Sequence, residues 1–191
     1  MTEALPLRVI VALTGASGAI LGIRALERLR ALGVETHLVI SAAAHITIAQ
    51  ETDWKVSDVQ ALAHVSHDPR NIGATIASGS FPAHGMLVIP CSIKTLSGIA
   101  NSYADDLIVR AADVTLKEGR PLVLVVRETP LHRGHLRLMD LAARAGAVIF
   151  PPVPAFYQRP ATLDELVDQT VARAVQRLGI PNAGVLPWKG L

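Results

Sequence analysis

The chain has 191 residues, half of them apolar and 18% charged, and its formal net charge is +2. So small a positive charge, with no stripe of aromatic and basic residues, excludes a nucleic-acid surface. No apolar run reaches the roughly 18–20 residues of a membrane span, and the start has no basic segment leading into a long apolar one. The lone cysteine, Cys91, cannot form an internal disulfide and fits a reducing cytoplasm. A mean hydropathy of +0.38 is high, so the surplus apolar surface is expected to be used in contacts between protomers. The length suits one domain over residues 1–191, with a core over about 7–180 and a tail over 181–191.

The first element is a strand from Leu7 to Leu13, an apolar, β-branched run of the kind buried on both faces. Gly15, Ala16, Ser17 and Gly18 turn the chain into a helix. Leu21, Gly22, Ala25, Leu26, Leu29 and Leu32 share one face of it, Arg24, Glu27, Arg28 and Arg30 the other, and Gly33 ends it. Val34–Ile40 reads as the second strand, with Ser41 as N-cap of a helix through Ala42–Gln50 that ends near Glu51, Thr52 and Asp53. Residues 54–80 carry turn chemistry at Asp68-Pro69-Arg70-Asn71 and Ser78-Gly79-Ser80, with a short helix around Val56–His64. Met86–Ile89 is the third strand. It runs into Pro90-Cys91-Ser92, and a short helix over Thr95–Asn101 follows.

Asp105 and Asp106 open a helix, where carboxylates favour the positive end, and it runs to Lys117-Glu118 and stops at Gly119. Pro121–Val126 is the fourth strand and Ala147–Phe150 the fifth, with a helix over Leu131–Ala145 between them. After Pro151, Pro152 and Pro154, Thr162-x-x-Glu165 is a capping box for a last helix that ends at Gly179. Strands alternating with helices predict an α/β fold: a doubly wound, Rossmann-like or flavodoxin-like parallel sheet with helices on both faces.

In such a sheet ligands gather beyond the carboxyl ends of the strands. Four of those ends carry Ser17, Ser41, Pro90-Cys91-Ser92 and Arg127-Glu128. The first turn, followed by a helix N-terminus, offers N–H groups to a phosphate, or is simply a tight turn that needs small residues. Its spacing, and Ser41 where a ribose-binding acid would stand, suit a mononucleotide better than a dinucleotide. Arg127 beside Glu128 supplies a cation and a proton carrier, or a solvated surface pair. Cys91 is a candidate nucleophile without a neighbouring base, and a buried small hydrophobe is its commoner fate. The seven histidines show no metal spacing; His132 and His135 sit three apart with no third ligand. Lys117-Glu118 and Arg173-Arg177 read by themselves as ordinary charged helix residues.

With these residues laid out, the chain resembles the flavin prenyltransferase family, the UbiX/Pad1 type that also occurs as a component of phenolic acid decarboxylases. The resemblance is carried by Thr14-Gly-Ala-Ser-Gly18, Ser78-Gly-Ser80, Pro90-Cys-Ser-Ile-Lys-Thr-Leu96, Arg110-Ala-Ala-Asp-Val-Thr-Leu-Lys-Glu118, Leu122–Pro130 and Phe156-Tyr157. It implies transfer of a dimethylallyl group from dimethylallyl phosphate to N5 and C6 of reduced FMN, without a metal, to make the cofactor of a UbiD-type decarboxylase. By the same resemblance Gly15, Ala16, Ser17, Ser41, Ser92, Ile93, Lys94, Thr95 and Arg127 contact FMN. Tyr157 and Arg173, helped by Arg110 and Lys117, hold the dimethylallyl phosphate, and Glu51, Glu128 and Tyr157 are the catalytic residues. The family builds its sites between the copies of a homododecamer.

The chain departs from the family's pattern at Asp105-Asp106, which adds a carboxylate, at Val126 before Arg127, and at Ile72, where some members carry an aromatic. Two other readings are an FMN-dependent cysteine decarboxylase-like flavoprotein and a non-catalytic flavin carrier. Pro90-Cys-Ser-Ile-Lys-Thr95 departs from the stretch expected of the first, and Glu51, Glu128, Tyr157 and Arg173 argue against the second.

Overall fold

The computed structural model describes residues 7–181 and 183–185. The strands are β1 (Arg8–Leu13), β2 (Glu35–Ile40), β3 (Val65–His67), β4 (Gly85–Cys91), β5 (Leu122–Val126) and β6 (Val148–Ile149). They form one parallel sheet in the order β3-β2-β1-β4-β5-β6. The helices are α1 (Ala19–Ala31), α2 (Ala42–Glu51), α3 (Val56–Leu62), α4 (Ile93–Ala100), α5 (Leu107–Lys117), α6 (Arg133–Arg144) and α7 (Leu163–Gln176). This is the doubly wound parallel sheet that the alternation of elements predicts.

Alternation along the strands divides the core in two. Val9, Val11 and Leu13 of β1, with Leu87 and Ile89 of β4, pack under α1, α2, α3 and α7. Ile10 and Ala12, with Met86, Val88 and Cys91, pack under α4, α5 and α6. Each fully buried Val, Leu or Ile contributes roughly 1.5–3 kcal/mol, so a central strand sealed on both faces anchors the whole sheet. Helix α1 lies unusually close to that strand at Gly22. A Cβ there would stand 2.5 Å from the Ile89 carbonyl and 2.6 Å from Leu13 Cγ, which is why the apolar face of α1 needs a glycine.

The sheet has six strands where the hydrophobic pattern predicts five. The extra strand, β3, is a three-residue edge strand with two exposed side chains, too short and too polar to register as an apolar run. Strand β4 runs on through Pro90 to Cys91, beyond the predicted Ile89. Helix α6 begins at Arg133 rather than Leu131, because His132 takes the N-cap position and its Nδ1 accepts the Gly134 N–H at 3.0 Å. Helix α4 begins two residues earlier than predicted, immediately after its cap Ser92. The last helix closes at Gln176, and Gly179, at φ +78°, belongs to the turn beyond it. The predicted tail lies only partly within the described residues.

Strand order reverses between β1 and β4. Their following helices leave on opposite faces, α1 over one core and α4 over the other, and a crevice opens between the two strand ends.

Candidate active site

The crevice is stitched at its base by Thr14, the first residue after β1. Its side chain is 1% exposed. Its hydroxyl donates to the Pro90 carbonyl at 2.8 Å and accepts the Ser92 N–H at 2.8 Å. The Thr14 N–H reaches the same carbonyl at 3.2 Å. One polar side chain thus fixes the ends of β1 and β4 relative to each other and sets where α4 begins.

Ser92 caps α4, accepting the Thr95 N–H at 3.3 Å, and its hydroxyl donates to Thr95 Oγ1 at 3.2 Å. Ser41 caps α2 in the same way, accepting the Ala44 N–H at 3.1 Å. Two helix N-termini with capping hydroxyls therefore open toward one place. Between them lies a cavity of 570 Å³ lined by Gly15, Ser41, Ala42, Ala43, Pro69, Arg70, Ser92, Lys94, Thr95, Asp105 and Asp106. That volume falls within the roughly 300–1,000 Å³ of small-molecule sites. Gly15 matters to its shape, since a Cβ there would run into the Ala43 side chain.

Beside this cavity sits a second cluster, built around Glu51 at the end of α2. Its Oε2 accepts the N–H groups of Gly18 at 2.7 Å and Ala19 at 3.0 Å, the first turn of α1. Burial pushes the Glu51 carboxyl up, but those two N–H groups, the Ser17 hydroxyl and the charge of Arg127 together hold it below its ordinary value. Ser17, Glu51 and Arg127 are thereby brought together from the ends of β1, α2 and β5. The N–H groups predicted to await a phosphate at the start of α1 are instead taken at Gly18 and Ala19 by the chain's own carboxylate. The cause is the length of α2, which carries Glu51 back to that helix end.

Glu128 follows Arg127 at the exposed end of β5, and its carboxylate accepts the Thr129 N–H at 3.0 Å. Cys91 is fully buried, and burial pushes its thiol up to about 12, so it is a small core residue and not a nucleophile. Among the described residues no group of three or more His, Cys, Asp or Glu is placed to hold a metal ion. No described helix is long and apolar enough to cross a membrane.

None of the predicted donor-binding residues is among those lining this cavity. Lys117, at the far end of α5, is roughly 16 Å by helical rise from Asp106 at the cavity. Arg110 donates to the Ala77 carbonyl at 3.2 Å and pairs with Asp113. Arg173 lines a different cavity of 320 Å³ with Arg28, Gln158, Glu165 and Asp168, and Tyr157 stands next to Gln158 in a short 3-10 turn, half-exposed.

The flavoprotein family model matches residues 2–174. The chain is 62% identical over 175 residues to flavin prenyltransferase UbiX of Salmonella typhimurium, covering 91% of this chain and 93% of the relative. It is 51% identical over 187 residues to the mitochondrial flavin prenyltransferase PAD1 of Saccharomyces cerevisiae, covering 97% of this chain and 77% of that one. Its fold superposes with a TM-score of 0.95 on AnUbiX (PadA1), a crystal structure in complex with FMN and dimethylallyl pyrophosphate. That pair is 52% identical, over 97% of this chain and 99% of the other. The chain belongs to the flavin prenyltransferases of the flavoprotein family.

Prenyl transfer to flavin, with FMN as the flavin, is therefore its class of activity, as the sequence resemblance implies. A flavin prenyltransferase has to take up a phosphate and a flat ring, and the cavity suits both. Ser41 and Ser92 keep hydroxyls at two helix N-termini, where dipoles favour an anion. Gly15 leaves room that any side chain would fill. Of the predicted FMN contacts, the structure brings Gly15, Ser41, Ser92, Lys94 and Thr95 together around the cavity, while Ser17 and Arg127 meet at Glu51 beside it.

Some residues of this crevice carry no role in the sequence reading. Thr14 is the first residue of Thr14-Gly-Ala-Ser-Gly18; a hydroxyl ending an otherwise apolar strand is the signal that marks it. Asp68, Pro69 and Arg70 read only as turn chemistry, yet Arg70 lines the cavity and is held by Asp68 through Nε at 3.1 Å and Nη2 at 2.8 Å. The Arg70 guanidinium drops the exposed Asp68 carboxyl to about 2. Asp105 and Asp106, the pair at which the chain departs from the family's pattern, both line the cavity; Asp105 pairs with Lys94 at 4.0 Å and Asp106 caps α5.

Proposed function

We propose that the protein joins a dimethylallyl group to N5 and C6 of reduced FMN, with FMN acting as substrate. The observation that carries this reading is the pairing of the serine-lined cavity with the Ser17–Glu51–Arg127 cluster beside it. In this reading Gly15, Ala16, Ser17, Ser41, Ser92, Ile93, Lys94, Thr95 and Arg127 hold the flavin. Breaking the allylic C–O bond loads negative charge onto the departing phosphate, and Arg110, Lys117, Tyr157 and Arg173 are the groups to meet it. Bond formation at C6 requires that carbon to lose a proton. Glu128, exposed beside Arg127, or the departing phosphate accepts it. Glu51 holds its carboxylate, as a hydrogen-bond acceptor, against the start of α1 and supports the hydroxyl of Ser17.

The separation of Lys117 and Arg173 from the cavity supports a site completed by neighbouring copies. A structure 51% identical, with a TM-score of 0.93, is described as a dodecameric FMN-dependent UbiX-like decarboxylase from Escherichia coli O157:H7. A homododecamer is the assembly proposed for this chain, in the cytoplasm, with a UbiD-type decarboxylase as recipient of the prenylated flavin. The donor is dimethylallyl phosphate, and the pyrophosphate is the comparison to run beside it.

The test is anaerobic incubation of protein with reduced FMN and either donor, followed by mass spectrometry of the released flavin. The expected product is flavin plus one C5 unit, formed over many turnovers. Glu128→Gln should bind FMN as before and lose turnover; full activity in that variant removes its proposed role. Unchanged flavin with both donors overturns the proposal.

A further inference from the structure

We propose that Arg120 is a positioning residue for the prenyl donor, acting through the Ala77–Phe81 loop on Lys117. This rests on the reading above that Lys117 meets the donor phosphate. Arg120 follows Gly119, whose φ of +65° reverses the chain at the end of α5. The Arg120 N–H donates to the Thr115 carbonyl at 2.9 Å, which fixes the backbone. The half-buried guanidinium then turns back onto the loop. Its Nη1 donates to the Phe81 carbonyl at 2.7 Å and its Nη2 to the Gly79 carbonyl at 2.8 Å. Arg110 donates to the Ala77 carbonyl from the other side. Three alternate carbonyls of one short loop are therefore held by two guanidinium groups of α5 and its end.

The loop in turn bears on Lys117. A Cβ on Gly79 would stand 2.9 Å from Lys117 Nζ and 2.8 Å from the Glu118 carboxyl carbon, so the glycine backbone is pressed against that ion pair. Inside the loop, Ser78 Oγ and Ser80 Oγ share a hydrogen bond of 2.8 Å. Phe81 packs edge-on against His37, with centroids 4.7 Å apart, which ties the far end to β2. The ammonium of Lys117 thus has its resting place set by a loop whose own position is set by Arg120. Lys117 is the first influence holding Glu118 below its ordinary value, and Arg120 adds its charge to the same carboxylate.

The experiment is steady-state prenylation by the whole assembly at saturating reduced FMN, varying dimethylallyl phosphate. Arg120→Ala should raise the donor KM about tenfold and lower kcat as well, because the Lys117 ammonium that it positions meets charge that grows in the transition state. FMN affinity should stay at the wild-type value. Arg120→Lys, which keeps one donor and the charge, should give an intermediate KM and serves if the alanine variant fails to fold. The double variant Arg120→Ala with Lys117→Ala should be no worse than Lys117→Ala alone. A wild-type donor KM in Lys117→Ala overturns the donor-site reading itself. A raised KM there with a wild-type KM in the Arg120 variants overturns only the positioning role, as do multiplying effects in the double variant or a parallel loss of FMN affinity.

Discussion

Glu51 Oε2 accepts the Gly18 N–H at 2.7 Å across 33 residues of sequence. This contact turns a surface carboxylate into the cap of α1, locks the left-handed Gly18 (φ +102°) in the turn after β1, and holds Ser17 beside Arg127. Glu51→Gln should loosen the turn by about 0.5–1 kcal/mol, at the low end of capping energies because water screens an exposed carboxylate. The sign of its pH dependence follows from the lowered carboxyl. Its contribution is whole above the ordinary value of 4.5 and is lost as pH falls through the lower folded value. Urea unfolding at neutral pH and at pH values below 4.5 should show the gap between wild type and variant closing on acidification.

Thr14→Val keeps the shape of a buried side chain and removes a donor and an acceptor. The Ser92 N–H is then left without its partner, at a cost of about 1–3 kcal/mol. Because the same bond sets the start of α4, FMN affinity should fall by about tenfold, a shift of about 1.4 kcal/mol. Chemical denaturation and flavin fluorescence titration check the two effects separately.

Gly22→Ala places a methyl against the Ile89 carbonyl and Leu13. Overpacking of this kind costs about 1–3 kcal/mol. The unfolding midpoint should drop while kcat of the surviving folded enzyme stays at the wild-type value.

Cys91, fully buried with its thiol pushed up to about 12, should resist thiol reagents at mildly alkaline pH and react only once the protein is unfolded. Cys91→Ala should keep prenylation activity. Rapid labelling of the native enzyme, or a dead Cys91→Ala that still binds FMN, would restore a chemical role to the thiol.

The elements legible in the sequence are those whose physics is local. The run from Val9 to Leu13 announces a strand buried on both faces, and Ser41, Asp106 and Thr162 announce caps through their own residue type. Strand β3 escapes because it owes its existence to pairing with β2, not to an apolar pattern of its own. Within the site, the serines at strand ends are readable, and a hydroxyl at the end of an apolar strand marks Thr14, whereas the partners it finds at Pro90, and that Glu51 finds at Gly18, come from distant stretches that no local pattern names. The distances of Lys117 and Arg173 from the cavity likewise follow from how α5 and α7 are packed, not from anything written beside those residues.

The most direct test of the central claim, that the crevice between the ends of β1 and β4 holds the flavin, is a titration of the purified protein with FMN followed by quenching of flavin fluorescence. The account predicts saturation at about one FMN per protomer, with affinity sharply weakened in Ser92→Ala and in Gly15→Val. A protein that stays colourless and leaves flavin fluorescence untouched, or one whose binding is indifferent to both substitutions, contradicts it.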